Sequence, residues 1–144
     1  MKKKITTSTS AQTKNLGLKI ARTLKGGEVI LLHGDLGSGK TTFAKGLAKA
    51  LGIKQTITSP TFVLMKVYST KHKTIKCFVH VDCYRLPGKD LLSIGLNDYL
   101  GKTDTVVAIE WAEKLPKLPN KIESIELFFK HNKELNGRII NLKN

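Results

Sequence analysis

Between residues 34 and 41 the chain reads Gly34-Asp35-Leu36-Gly37-Ser38-Gly39-Lys40-Thr41, the pattern G-x-x-x-x-G-K-[ST] with an additional glycine at position 37. No other stretch restricts the fold as tightly. Glycines let the backbone curl until successive N–H groups point at one spot, and a helix leaving the turn adds its positive N-terminal end. Such a turn needs a strand to arrive on and a helix to depart by. Residues 28–33, EVILLH, form a short, nearly continuous apolar run of the kind that makes a central strand covered on both faces. Residues 40–51 repeat Phe43, Leu47 and Leu51 every four positions, with Lys45 and Lys49 sharing another face and Gly52 as a stop. A turn that merely joined strand to helix would not require a lysine in the first helical turn followed by two threonines. The set predicts a nucleotide site, with Lys40 reaching the β- and γ-phosphates and the Thr41 hydroxyl on Mg²⁺.

Hydrolysis at such a site also needs an acidic residue at the C-terminal end of a neighbouring strand, to hold the metal or to polarise the attacking water. Two apolar runs end this way: FVHVD at Asp82 and VVAIE at Glu110. Open α/β sheets place ligands at those strand ends. One Mg²⁺ site can use one acid as a ligand and the other for water, and spacing alone does not say which.

The rest of the chain fits around this unit. Residues 10–24 place Leu16, Ile20 and Leu24 on one helical stripe, capped near Ser8 or Ser10 and ended by Lys25-Gly26-Gly27. After a polar loop at 55–61, strands over 62–68 and 75–82 flank a basic turn and form a hairpin. A short helix is expected over 90–100, a strand over 105–110, and two final strands over 122–130 and 138–142. The expected architecture is a three-layer α/β domain resembling P-loop nucleotidases, with a mixed, mainly parallel central sheet and an antiparallel hairpin. It occupies residues 1–144 as one domain, with residues 1–7 as a flexible basic tail.

Charge adds a second theme. Lys+Arg number 25 against 11 Asp+Glu, a formal net charge of +14. Residues 1–76 hold 15 basic and two acidic residues, so the excess belongs to the first half. Lysines make up 22 of the 25, and lysine is a mobile point charge, whereas guanine edges are usually read by arginine. Any nucleic-acid contact is therefore expected at phosphates. No apolar stretch approaches the roughly 18–20 residues of a membrane span, and the basic start runs into ITTSTSAQT without an apolar core, which predicts a cytoplasmic protein with no membrane contact. Cys77 and Cys83 lie about 20 Å apart along one extended strand and cannot pair with each other. His80 alternates to the opposite face, which removes a metal site of these three residues.

Four blocks, GDLGSGKTTF (34–43), SPTF (59–62), HVDCYRL (80–86) and IEW (109–111), together with the helical start at Thr13, Leu16 and Gly17, resemble the TsaE (YjeE) family in order and approximate spacing. These are small bacterial ATPases required for the threonylcarbamoyl modification of adenosine 37 in tRNAs that read ANN codons. The resemblance implies that Gly37, Ser38, Gly39, Lys40, Thr41 and Thr42 cradle the phosphates of ATP. It makes Glu110 the second Mg²⁺ ligand beside Thr41, and Asp82 the residue that orients or activates the attacking water. It further implies a switch-type role for Thr61 and positions near the nucleotide for Ser10 and Arg138. Trp111, the single tryptophan, is a candidate nucleotide sensor, and Tyr84 and Arg85 are candidates for phosphate or partner contact. The partners implied are TsaD, which with TsaB carries the transfer chemistry, and tRNA, met indirectly or through phosphates.

Three other readings compete. A small P-loop kinase acting on a nucleoside or other small molecule typically gathers several arginines around the transferred group, and this chain has only Arg22, Arg85 and Arg138. A GTPase would show Asn-Lys-x-Asp, where the nearest stretch is Asn120-Lys121-Ile122-Glu123. An RNA-binding module with a vestigial loop would have no use for Lys40, Thr41, Asp82 and Glu110 together. The expected activity is slow Mg-dependent ATP hydrolysis, raised by partners, with the lysines of 2–4, 45/49 and 66–76 forming one anion-facing surface near the nucleotide.

Overall fold

Strand β2 (Val29–His33) is apolar on both sides because both sides are covered. In the computed structural model, which describes residues 2–58, 65–85, 95–134 and 136–144, Ile30 and Leu32 face one core and Val29 and Leu31 the other. The remaining elements are β1 (Lys2–Thr7), α1 (Ser10–Ala21), α2 (Lys40–Ala50), β3 (Met65–Ser69), β4 (Cys77–Asp82), β5 (Thr105–Glu110), β6 (Ser124–Asn132) and β7 (Gly137–Lys143). They form one seven-stranded sheet in the order β1-β7-β6-β2-β5-β4-β3. The four central strands β6, β2, β5 and β4 are parallel, and antiparallel pairs close both edges.

Helices α1 and α2 make the layer over Ile30, Leu32, Phe78, Val106 and Ala108. Over Val29, Val79, Val81, Val107 and Ile109, the described residues place two short 3-10 turns, Leu96–Asp98 and Ala112–Lys114, with Leu115, Leu118 and Ile122. The helix expected over 90–100 is thus a 3-10 turn where it is described, and 90–94 lie outside the described residues. The cap of α1 falls on Thr9, between the two expected serines; its side chain accepts from Gln12 N at 3.1 Å, while Gln12 Oε1 accepts from Ser8 N at 2.7 Å. The pair resembles a capping box, with the glutamine side chain taking the N–H one residue before the cap.

Residues 2–7 are not a flexible tail. They form edge strand β1, paired with β7 from Lys2↔Lys143 to Thr7↔Arg138. Ile5, Thr6 and Thr7 are β-branched and suit a pleated surface, and buried Thr7 shares a 2.8 Å hydrogen bond with Thr13 of α1. The lysines that disguise the strand are what an edge needs, since charge there discourages pairing with another chain.

The two helices cross where each carries a glycine. A Cβ on Gly46 would overlap the Lys14 carbonyl oxygen, and one on Gly17 would overlap that of Phe43. Helix propensity alone makes Gly46→Ala stabilising by about 1 kcal/mol. Overlap with backbone reverses the sign: a net loss of about 2 kcal/mol, or a melting temperature lower by roughly 6 °C, is expected in calorimetry. Cys77 and Cys83 are free thiols that pack on the face of Val79 and Val81. Burial, followed by the charges of Asp82 and Glu113, pushes the Cys83 thiol up to about 12. No helix among the described residues is long and apolar enough to cross a membrane.

Candidate nucleotide-binding site

The loop leaves β2 at Gly34, whose φ of 142° suits glycine and where a Cβ would sit 2.5 Å from the Phe129 carbonyl oxygen and 2.9 Å from Ser38 Oγ. It re-enters regular structure at Gly39, the N-cap of α2, at φ 106° and with no side-chain cap. The first N–H groups of α2 are therefore not claimed by a capping side chain, and the residues that carry them, Lys40, Thr41 and Thr42, line a cleft of about 410 Å³. Gly37, Ser38, Gly39, Lys40, Thr41, Thr42, Asp82, Glu110, Trp111 and Arg138 all line it, drawn from four separate parts of the sequence.

Lys40 is folded back onto its own loop. Its Nζ donates to the carbonyl oxygens of Gly34 (2.5 Å) and Asp35 (2.9 Å) and lies 4.2 Å from the centroid of the Trp111 ring. Burial lowers the pKa of this ammonium, against the opposing pull of Glu110, Glu113, Asp82 and Asp35. A desolvated cation surrounded by carbonyl oxygens and a π face is ready to exchange these partners for phosphate oxygens.

The acids stand where parallel pairing puts them. Register aligns Asp82 with Glu110, each the last residue of its strand. Thr41 Oγ1 donates to both Glu110 carboxylate oxygens, at 2.8 and 3.0 Å. Asp82 Oδ1 accepts from the Tyr84 N–H at 2.8 Å, a side-chain turn that fixes the carboxylate. Hydroxyl and carboxylate oxygens meeting beside a phosphate cradle are a donor set that fits Mg²⁺, which binds through one or two protein oxygens and completes its shell with phosphates and water.

Trp111 adopts left-handed backbone (φ 58°), uncommon for a bulky residue, and this turns its ring back over Lys40. Tyr84 packs against it with ring centroids 4.7 Å apart, and Lys114 Nζ, bonded to the Tyr84 carbonyl at 2.5 Å, lies 5.0 Å over the Tyr84 ring. Arg138 arrives from the far end of the chain. Strand β6 pairs with β2 up to His33↔Phe128 and continues to Asn132, and the turn into β7 brings Arg138 back beside the loop. Its guanidinium donates to the carbonyl oxygens of Gly37 (3.0 Å) and Gly137 (2.9 Å). Arg85 lines the cleft as well, so two of the three arginines converge there despite their separation in sequence.

Ser10 does not line this cleft. It opens α1 and borders a smaller, hydroxyl-rich hollow with Thr13, Gly39, Thr42 and Arg138, against the same loop. Thr61 lies outside the described residues. The lysines do not make one surface: Lys2, Lys3 and Lys4 are on β1 and Lys66 to Lys76 on the β3–β4 hairpin, at opposite edges of the sheet and roughly 29 Å apart at strand spacing. Sequence counting groups them, and strand order separates them. Lys14, Lys45, Lys49 and Lys54 do line one groove on the helical layer.

Two histidines escaped the reading of the sequence as site residues. His80, with no exposed surface, bonds Glu110 Oε1 through Nε2 at 2.8 Å. The signal was alternation, which puts His80 on the same face of β4 as Asp82. His33, one residue before Gly34, stacks on Phe128 with centroids 4.4 Å apart and lies between Glu113 (3.5 Å) and Glu126 (3.3 Å). A polar residue closing an apolar strand was its only trace.

A central strand, a glycine turn, a helix N-terminus facing the cleft and acids on the next parallel strands make this a P-loop protein, the class in which phosphates sit at the turn. A family model described as threonylcarbamoyl adenosine biosynthesis protein TsaE matches residues 7–140. The tRNA threonylcarbamoyladenosine biosynthesis protein TsaE of Nostoc sp. is 40% identical over 129 residues, covering 88% of this chain and 78% of that one. Its counterpart from Treponema pallidum is 42% identical over 123 residues, covering 83% and 87%. The crystal structure of Bacillus subtilus YdiB aligns with a TM-score of 0.74 at 31% identity, covering 99% of this chain and 84% of that one. The chain belongs to the TsaE family.

Proposed function

We propose that this chain is an Mg-dependent ATPase that serves formation of the threonylcarbamoyl group on adenosine 37 of tRNAs reading ANN codons, by binding and resetting the TsaD–TsaB complex. The observation that carries the ATPase reading is the part-buried Thr41–Glu110 contact beside Lys40 and Asp82 in one cleft. Lys40 exchanges the Gly34 and Asp35 carbonyls for the β- and γ-phosphates. Thr41 and Glu110 hold Mg²⁺, which when bound neutralises charge on the phosphate oxygens. Asp82, fixed through Oδ1, orients the attacking water and accepts its proton. Trp111 and Arg138 meet the nucleotide in the cleft, Ser10 acts from the adjoining hollow, and Thr61 is a switch-type residue for the γ-phosphate.

Transfer to a nucleoside, as in a small kinase, would need arginines on the outgoing phosphoryl group, whereas Arg138 is engaged with the carbonyls of Gly37 and Gly137. Hydrolysis is slow for the protein alone, because the Arg138 guanidinium is engaged by loop carbonyls, and partner binding raises it. The protein works in the cytoplasm. The Lys14, Lys45, Lys49 and Lys54 groove meets tRNA phosphates by charge.

Reconstitution of the modification on tRNA, with phosphate release followed in parallel, tests this reading. Multiple turnovers per TsaD are expected only when the chain is added. A fast ATPase rate that TsaB–TsaD leaves unchanged would overturn it. Association with tRNA is expected to weaken at least tenfold between about 50 and 200 mM salt, and salt-independent binding would remove the groove from the account.

A further inference from the structure

Glu110 is gripped from two sides. Thr41 of α2 donates to both of its oxygens, and His80 of β4 reaches Oε1 through Nε2 at 2.8 Å. A carboxylate only accepts, so Nε2 supplies the proton of that bond. The other ring nitrogen, Nδ1, is buried and has no hydrogen-bond partner among the described residues. The proton on Nε2 is assigned from the hydrogen bond that this nitrogen makes.

An imidazole is an expensive choice at this position. His80 has no exposed surface, stacks on Phe78 (centroids 6.5 Å, planes 15° apart) and is flanked in sequence by the buried valines Val79 and Val81. An apolar residue would bury there without the desolvation penalty of a polar ring. What the ring adds is one bond to one oxygen of Glu110, a side chain that otherwise has several rotatable bonds with which to leave Thr41.

We propose that His80 is a positioning residue: by holding Oε1 it fixes the Glu110 carboxylate against the Thr41 hydroxyl, and so builds the two-oxygen seat for a divalent cation before nucleotide arrives. The inference rests on the reading that Thr41 and Glu110 hold Mg²⁺. Outer partners of this kind set metal affinity through the ligand they orient, and losing one typically weakens binding about 10- to 100-fold.

The test is the thermodynamic coupling between Mg²⁺ and ADP, measured by titration calorimetry as the ratio of the ADP dissociation constant in EDTA to that in Mg²⁺. His80→Phe keeps a ring of similar size and removes the donor. It is expected to lower the ratio about tenfold while the affinity for metal-free ADP stays within about twofold. His80→Gln, whose amide nitrogen falls near Nε2, is expected to restore most of the coupling. His80→Asn, which reaches only as far as Nδ1, is not. A merely structural role would move both affinities together and rank Gln and Asn alike. Full coupling in folded His80→Phe overturns the inference. If that variant does not fold, equal ratios for Gln and Asn overturn it. Thr41→Ala separates the two levels: it loses the coupling if the metal reading holds, whatever His80 does. Retention of coupling in Thr41→Ala, or its absence in the unmutated protein, refutes the metal reading and the inference with it.

Discussion

Lys40→Ala is expected to weaken nucleotide binding about 10- to 100-fold, the worth of a charge-assisted hydrogen bond, and to lower phosphate release by about 10³-fold, because the same ammonium stabilises charge that develops in the transition state. The fold should hardly notice. Nζ is bonded to two loop carbonyls and packed against Trp111, but burial already lowers its pKa, so keeping it charged carries a cost. Losing the bonds and losing that cost act in opposite directions, and the melting temperature is expected to move by no more than about 3 °C, equivalent to about 1 kcal/mol in a chain of this size. Calorimetry of ADP binding and of unfolding on the same samples measures both quantities. Wild-type affinity in a folded variant would mean that Lys40 stays on its carbonyls when nucleotide binds. A collapse in stability would mean that the ammonium is a structural staple of the loop.

The parts of this fold that were legible in sequence are those in which local pattern and tertiary placement agree. β2 and β5 are apolar on both faces because they sit centrally, and their runs end where regular pairing ends. The loop declares itself because its geometry demands glycine at Gly34 and Gly39. β1 was hidden because its exposed positions carry lysine and its one half-buried aliphatic residue, Ile5, makes no periodicity. Arg138 lies 101 positions from Gly37, and only the path β2–β6–β7 explains their meeting. The left-handed turn at Trp111 has no local signature such as glycine or asparagine, so nothing in the sequence shows that the ring turns back onto Lys40. The His80 contact was half visible: alternation shows the face, but the register of β4 against β5, which decides the distance to Glu110, is a tertiary property.

Different partners, despite that shared register, are why the two acids are expected to respond differently to mutation. Asp82 and Glu110 are aligned neighbours on adjacent strands, yet Glu110 is bonded to Thr41 and His80, while Asp82 is fixed by the Tyr84 N–H at the mouth of the next turn. Asp82→Asn keeps the shape and the acceptor for that N–H and removes the charge. If Asp82 receives the proton of the attacking water, turnover should fall by about 10²- to 10⁴-fold, the usual contribution of a positioned base. Binding of MgATP should change little, or tighten slightly, since one negative charge near the triphosphate is gone. The signature is a lowered kcat with KM within about threefold, which marks an interaction made only in the transition state. Glu110→Gln should instead raise the Mg²⁺ requirement, because a neutral amide is a poorer ligand for a hard cation. The pair of variants therefore separates the two carboxylates by which parameter moves. Asp82→Asn with unchanged kcat would strip Asp82 of its part in hydrolysis, and a matching rise in its Mg²⁺ requirement would place it on the metal beside Glu110.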